Sequence, residues 1–205
     1  MADFKTALAL TDANEGGYMF DEDDPGGETY RGIARKKEPD WGGWPIIDDI
    51  KSNQDSSLPP LEQQLIDNSL LNESADQFYK RKYWDAIKLD ECPDQDIANE
   101  LYDTGVNQGV RRASKYLQRS LNLLNRMEHD YPDVKIDGYV GSATIAVLKQ
   151  ALSKGYRWKV GIIKCLNGEQ YMRYRIITLL LKGFEKYFHG WLTRITFNIG
   201  GQNGE

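Results

Sequence analysis

The sequence predicts a mainly α-helical protein, two helical lobes packed as one compact body, and three observations carry the prediction. Apolar residues recur at helical spacing in several stretches. The plainest is Val110 to Asn125, where Ala113, Leu117, Leu121 and Leu124 share one side and Arg111, Arg112, Lys115 and Arg119 the other. No internal repeat, heptad array or low-complexity segment breaks the chain. The connector between the halves, Leu89 to Pro93, is too short and too unlike a flexible linker to hold two bodies apart.

At 205 residues the chain is long enough for a sizeable core, and its 40% hydrophobic and 28% charged content is ordinary for a globular protein. No apolar run approaches membrane-spanning length, so no membrane insertion is expected. Met1-Ala2-Asp3-Phe4-Lys5 lacks a basic start, a long apolar stretch and a small-residue cleavage site. No secretory signal peptide is read there, and synthesis in the cytoplasm is expected. Residues 1–90 carry 10 Lys/Arg against 19 Asp/Glu, whereas residues 91–205 carry 16 against 12. A basic half beside an acidic half suits a substrate bearing peptide carboxylates; ordinary solvated helix faces would produce the same split.

Phe4, Ala7, Leu8 and Thr11 begin the first helix, and Gly16-Gly17 is a common way to end one, since glycine accepts the left-handed conformation just past the last turn. Glu15 then falls in the final turn. The helix dipole disfavours an ionised carboxylate there, and partial burial would push its pKa up further, which makes Glu15 a candidate general acid. The acidic run Asp21-Glu22-Asp23-Asp24 leads into Pro25-Gly26-Gly27 and Thr29, so a loop delivers a second carboxylate close in sequence to the first. Two carboxyls in different environments suit the cleavage of a glycosidic bond: one protonates the leaving oxygen, the other activates water or meets the oxocarbenium-like centre. Asp24 is favoured for the second role because the turn that follows anchors it, with Thr29 placed to hold a water beside it.

Gly32 to Leu58 shows few periodic signals. Its Trp41 and Trp44 either wall a sugar subsite, since indoles stack on the apolar faces of sugar rings, or staple an irregular loop to the core. Lys51 to Leu58 reads as a surface loop. Pro59-Pro60 opens a helical region with Leu61, Leu65, Leu70 and Leu71 on its apolar face and a break near Asn72. A further helix is expected from Ala75 to Ile87, with Phe78, Tyr79, Tyr83 and Trp84 inward. Pro93 is placed to begin the next helix, which Ile97, Leu101 and Val106 mark and Asn107-Gln108-Gly109 ends. Asp103 and Asn107 either face a glycan cleft or cap helices and bond to loops, the second being the commoner use of Asp. Beyond the Val110 helix, Arg126 to Tyr139 is a loop, and Ser142 is placed to cap the next helix start. Arg157 to Phe188 is helical throughout, with Gly161, Gly168 and Gly183 marking breaks or close packing, and Ile195 to Glu205 is a frayed tail.

Several chemistries find no support. Cys92 and Cys165 show neither a disulfide framework nor zinc-ligand spacing, and no metal site is expected. With only His129 and His189, no Ser-His-Asp arrangement is suggested. Asp21-x-Asp23-x-x-Gly26 starts like a calcium loop but has Pro25 at its fifth place and Gly32 at its twelfth. A pI of about 5.2 argues against nucleic acid as a partner.

Glu15-Gly16-Gly17-Tyr18, Asp24-Pro25-Gly26-Gly27, Thr29 and Gly32-Ile33 together resemble the N-acetylmuramidases of glycoside hydrolase family 108, also known as secretion activator proteins. Glu15, Asp24 and Thr29 are likewise similar to the Glu, Asp and Thr set of phage-type lysozymes. The family pattern has Asn and a Lys or Tyr before Gly-Ile, where this chain has Tyr30-Arg31. Tyr102 to Gly109 is similar to the Asp-x-x-Val-Asn-x-Gly of the family's second half. Ile136 to Thr144 is similar to the Asp-Gly-x-x-Gly-x-x-Thr of peptidoglycan-binding modules, and Gly190-Trp191-Leu192-Thr193-Arg194 to the close of that domain.

This resemblance implies a lysozyme-like helical fold, with a catalytic region in residues 1–90 and a peptidoglycan-binding-like region in residues 91–205. It implies a muramidase in which Glu15 protonates the leaving oxygen and Asp24, helped by Thr29, orients water or stabilises the developing cation. Tyr18, Tyr30, Trp41, Trp44, Asp103 and Asn107 are the candidate glycan contacts. The partner is the peptidoglycan glycan strand, no metal or organic cofactor is implied, and a phage holin or a secretion system would carry the protein to the periplasm. A carboxyl separation of roughly 6.5–9.5 Å would support inversion of the anomeric centre, and about 5 Å retention. A lytic transglycosylase, which needs one acid only, and a non-catalytic wall-binding accessory of secretion are the competing readings.

Overall fold

The computed structural model describes residues 1–12, 17–21 and 26–195. Among them, nine α-helices and one small three-stranded sheet make the protein mainly α, as the helical periodicity predicts. The chain divides into two compact units, one of residues 8–82 and one of residues 1–7 with residues 83 onward.

In the unit of residues 8–82, α1 (Phe4–Asp12) delivers its last residues, and β1 (Tyr18–Phe20), β2 (Glu28–Tyr30) and β3 (Ile33–Ala34) form an antiparallel sheet in that order. Tyr18 lies opposite Tyr30, Phe20 opposite Glu28, and Tyr30 opposite Ile33. The sequence reading contains no sheet, because strands of two or three residues are too short to display alternation. The β2–β3 turn is Arg31-Gly32, both at positive φ (45° and 77°), the backbone twist that closes a tight hairpin. A non-glycine residue there costs about 1 kcal/mol or more, and its surroundings hold Arg31 in place. Its N–H donates to Gly17 O at 3.1 Å, its carbonyl accepts from Tyr79 Oη at 2.5 Å, and its guanidinium pairs with Asp76 at 3.0 Å.

A helix absent from the sequence reading, α2 (Trp44–Ser52), follows. Pro45 sits in its first turn, where a missing N–H costs nothing, and only Trp44 and Ile47 are buried, too few for a period to show. Pro59-Pro60 leads into α3 (Leu61–Asp67) as expected. The next break falls at Asn68 rather than Asn72. The Asn68 side chain accepts from Leu71 N at 2.9 Å and so caps α4 (Ser69–Tyr79), while Asn72 donates back to Ile66 O at 2.7 Å. The helix expected over 75–87 is thus the second half of α4, continued by a π turn at Lys80–Trp84 and a 3-10 turn at Asp85–Ile87. Ile33, Ile47, Leu65, Leu71 and Ala75 are sealed in this unit's core. Each branched aliphatic among them contributes about 1.5–3 kcal/mol by leaving water.

The second unit is built on α5 (Gln95–Gln108), α6 (Val110–Leu124) and α8 (Tyr156–Leu180), which pack on one another, with α7 (Ser142–Ser153) against α6 and α8. Asp94 rather than Pro93 starts α5, its carboxylate accepting from the Asp96 and Ile97 amides. α6 matches its predicted span, with Ala113, Leu117 and Leu121 buried. Its Gln118, only 1% exposed, clamps the Asp137-Gly138 turn: Nε2 donates to Asp137 Oδ1 and to Tyr139 O, and Oε1 accepts from Gly138 N. Gly138, at φ 83° and with Arg111 against the place a Cβ would take, is the residue this turn needs. Gly141, not Ser142, occupies the cap position of α7, and Ser142 is its first helical residue. The long helix expected over 157–188 ends at Leu180; a 3-10 turn at Lys182–Phe184 containing Gly183 separates it from α9 (Glu185–Leu192). Gly161 is a close-packing glycine, since a Cβ there would lie 3.2 Å from Leu124.

Candidate active site

The short sheet positions the described residues of the expected site. Alternation along Glu28-Thr29-Tyr30 turns Glu28 and Tyr30 to the buried face and Thr29 to the other. Glu28 is only 6% exposed, so its charge has to be met by partners. Tyr18 Oη donates to it at 2.7 Å, the Lys51 ammonium at 2.9 Å, and Arg35 Nε lies 2.8 Å away. Arg35 also forks onto Asp48, Nη1 at 3.1 Å and Nη2 at 2.7 Å. The hydrogen bond to Glu28 is the main force raising the Lys51 pKa, and the bond to Asp48 the main one raising that of Arg35. Burial first, and then Glu28, raises the Tyr18 phenol. Lys51 and Arg35 are therefore cations, and Tyr18 is a neutral phenol, across the neutral range.

This lattice escaped the sequence reading. The signal that could have found it is the strand period, which obliges a Glu two residues before a buried Tyr to point the same way as that Tyr.

The remaining candidates fall in different settings. Thr29 is half-buried, its hydroxyl 3.5 Å from Met19 O, a contact at the outer limit of a hydrogen bond. Tyr30 is 1% exposed, its hydroxyl 2.8 Å from Asn72 Oδ1. Trp41 and Trp44 are 5% and 3% exposed and meet edge to face at 4.9 Å; Trp41 stacks on Tyr30, and the Arg35 guanidinium lies over Trp44. Of the two roles the sequence left open to these indoles, this is the stapling arrangement. Trp41 Nε1 donates to Ser74 O and Trp44 Nε1 to Glu38 O. The exposed rim of β1 is instead Met19 and Phe20, the Phe20 ring lying 5.3 Å from the Lys51 ammonium.

Glu15 and Asp24 lie outside the described residues. The positions flanking them are placed. Gly17 O accepts from Arg31 N, and Gly26 O accepts from Lys36 N at 3.4 Å.

Asp103 and Asn107 belong to α5 in the other unit. Asp103 Oδ1 accepts from Arg194 Nη1 at 2.8 Å and from Asn107 Nδ2 at 3.1 Å, and Asn107 Nδ2 also reaches the Asp103 carbonyl. Burial raises the Asp103 carboxyl despite the opposing pull of Arg194. One turn earlier, Glu100 is 8% exposed and bonded by Gln170 Nε2; burial, reinforced by Asp103, pushes its carboxyl up to about 8.

Comparison with known proteins gives these features a family. Residues 8–109 match the profile of glycosyl hydrolase 108, and residues 112–196 match that of a predicted peptidoglycan domain. The structure of Brucella abortus SagA aligns with a TM-score of 0.58 over 94% of this chain and 88% of that one, at 22% identity, which shows a shared fold. No curated protein matches the chain significantly. Motif, fold and the paired profiles agree: the chain belongs to glycosyl hydrolase family 108 and is a peptidoglycan hydrolase with a predicted peptidoglycan domain as its second part.

Proposed function

We propose that the protein is a lysozyme that cuts the β-1,4 bond between N-acetylmuramic acid and N-acetylglucosamine. Glu15 protonates the leaving oxygen; Asp24, with a water held by Thr29, activates the attacking water or stabilises the oxocarbenium-like centre. The observation that carries this reading is the buried Glu28 lattice under a sheet whose first strand begins three residues after Glu15 and whose first connection carries Asp24. It fixes Glu28 opposite Phe20, closing the connection on which Asp24 is borne, while the Gly17 to Arg31 bond fixes the chain two residues after Glu15.

Within this proposal Tyr18 lines the site through its ring, and exposed Phe20 offers a sugar the stacking face that buried Trp41 and Trp44 lack. Tyr30, Trp41 and Trp44 form the floor that keeps the sheet in register. Catalysis resides in residues 1–90 and wall binding in residues 91–205, where Asp103 and Asn107, tied to Arg194, order the end of α5. The site of action is the periplasmic cell wall, reached through a holin or a secretion system.

The test is mass spectrometry of fragments released from purified sacculi by wild-type protein and by Glu15→Gln. Reducing N-acetylmuramic acid ends from the wild type, reduced about 10²-fold or more in the variant, are expected. Anhydro ends would mark a lytic transglycosylase instead, and no release by either protein would leave a wall-binding accessory.

A further inference from the structure

The second unit carries a charged groove that the proposed chemistry does not use. It opens between α6 and α8, has a volume of about 310 Å³, and is lined by Arg112, Lys115, Arg119, Arg173 and Glu169 above a floor that includes Tyr116 and Ile176. Four cations face one carboxylate, and that carboxylate is already taken: Glu169 pairs with Arg119 at 3.0 Å. Arg112 spends one arm on the Gln108 carbonyl at 2.7 Å. Lys115 and Arg173 meet no carboxylate among the described residues. A second cavity runs on from the first, sharing Arg112 and Lys115 and adding Arg111. On a chain whose net charge is −5, such a concentration of unpaired positive charge is a local feature that calls for an anionic partner.

We propose that this groove holds the acidic stem peptides of the peptidoglycan, and so anchors the enzyme on the wall through the peptide rather than the sugar. The inference rests on the reading of the chain as a peptidoglycan hydrolase. Two features choose the peptide over another anion. All the residues lining the first cavity fall within the match to the predicted peptidoglycan domain. The groove is also amphiphilic: its floor joins buried Tyr116 to half-exposed Met172 and Ile176, while its rim is cationic. Stem peptides alternate alanine methyl groups with free carboxylates, which matches an apolar floor under a guanidinium and ammonium rim. A volume near 310 Å³ lies at the small end of ligand pockets and suits a few residues of peptide, not a folded partner.

The experiment is co-sedimentation of the full chain carrying Glu15→Gln with purified sacculi, with and without an excess of soluble stem peptide as competitor. Binding is expected to fall about tenfold in the presence of the free peptide, to weaken with added salt, and to fall about tenfold without competitor in Arg112→Glu/Lys115→Glu/Arg173→Glu. The neutral triple Arg112→Gln/Lys115→Gln/Arg173→Gln, checked for wild-type circular dichroism, is expected to lie between the two, which separates lost attraction from a folding defect. Equal sedimentation with and without the competing peptide, or an unchanged charge-reversed variant, would overturn the proposal. So would preferential capture of the chain by vesicles of anionic phospholipid in competition with sacculi. Fragment release by the wild type is scored separately. Release without stem-dependent binding sinks the groove and keeps the hydrolase, whereas stem-dependent binding without release does the reverse.

Discussion

Replacing Glu28 by Gln leaves the Lys51 ammonium, the Arg35 guanidinium and the Tyr18 phenol facing a neutral amide in a site that is 6% exposed. Lys51 and Arg35 are each about a third exposed, so water meets part of the deficit and the loss is smaller than for a fully buried pair. Glu28→Gln is expected to cost about 1–3 kcal/mol, read as a lower urea midpoint for the transition of residues 8–82. An unchanged midpoint would show that the lattice carries no stability.

Glu100 makes a different prediction at the same scale. Burial pushes its carboxyl up to about 8 in the folded protein, against about 4.5 for an ordinary glutamate, so the folded chain holds the proton more tightly than the unfolded one. The contribution is whole below about pH 4.5 and is lost as pH climbs from there to about 8. Urea unfolding at pH 5 and pH 8 should show wild type losing stability between them and Glu100→Gln losing clearly less.

Among the elements, the short ones depend most on single contacts. Gly43, which precedes α2, lies under the Trp41 indole, and a Cβ there would fall 2.3 Å from the ring. Its φ of −77° suits any residue, so the conflict is one of packing alone. Gly43→Ala is expected to destabilise by about 1–3 kcal/mol and to shift the near-ultraviolet dichroism of the Trp41 and Trp44 pair. Asn68→Ala removes the cap of α4 and should cost about 1 kcal/mol, with Asn68→Asp restoring most of it. Legibility in the sequence followed length. α6, fifteen residues with one continuous apolar side, could be read directly. β1, β2 and β3 offer at most three residues each, and α2 buries two, so none of them repeats its pattern often enough to announce itself.

For the whole molecule, the chain's first residues belong with its second half. Ala2 N donates to Cys92 O at 2.9 Å, Asp3 and Gln95 exchange two hydrogen bonds, and Phe4 meets Trp84 and Tyr102 edge to face at 5.6 and 5.8 Å. Phe4→Ala should therefore lower the thermal midpoint of the unit of residues 83 onward by an amount matching about 3 kcal/mol. Differential scanning calorimetry would detect it, and a wild-type thermogram would exclude the contact as a source of stability.

Local sequence alone determined the mainly helical class, the start of α3, the span of α6 and the family. Each of these rests on periodicity, on glycine and proline punctuation or on a short motif, all carried by neighbouring residues. Only the tertiary structure decided that Trp41 and Trp44 face the core, that Glu28 is buried beneath the sheet among Tyr18, Lys51 and Arg35, and that the cations of α6 meet Arg173 of α8 across a groove. Burial and charge pairing are set by side chains tens of residues apart, so no window along the chain contains them.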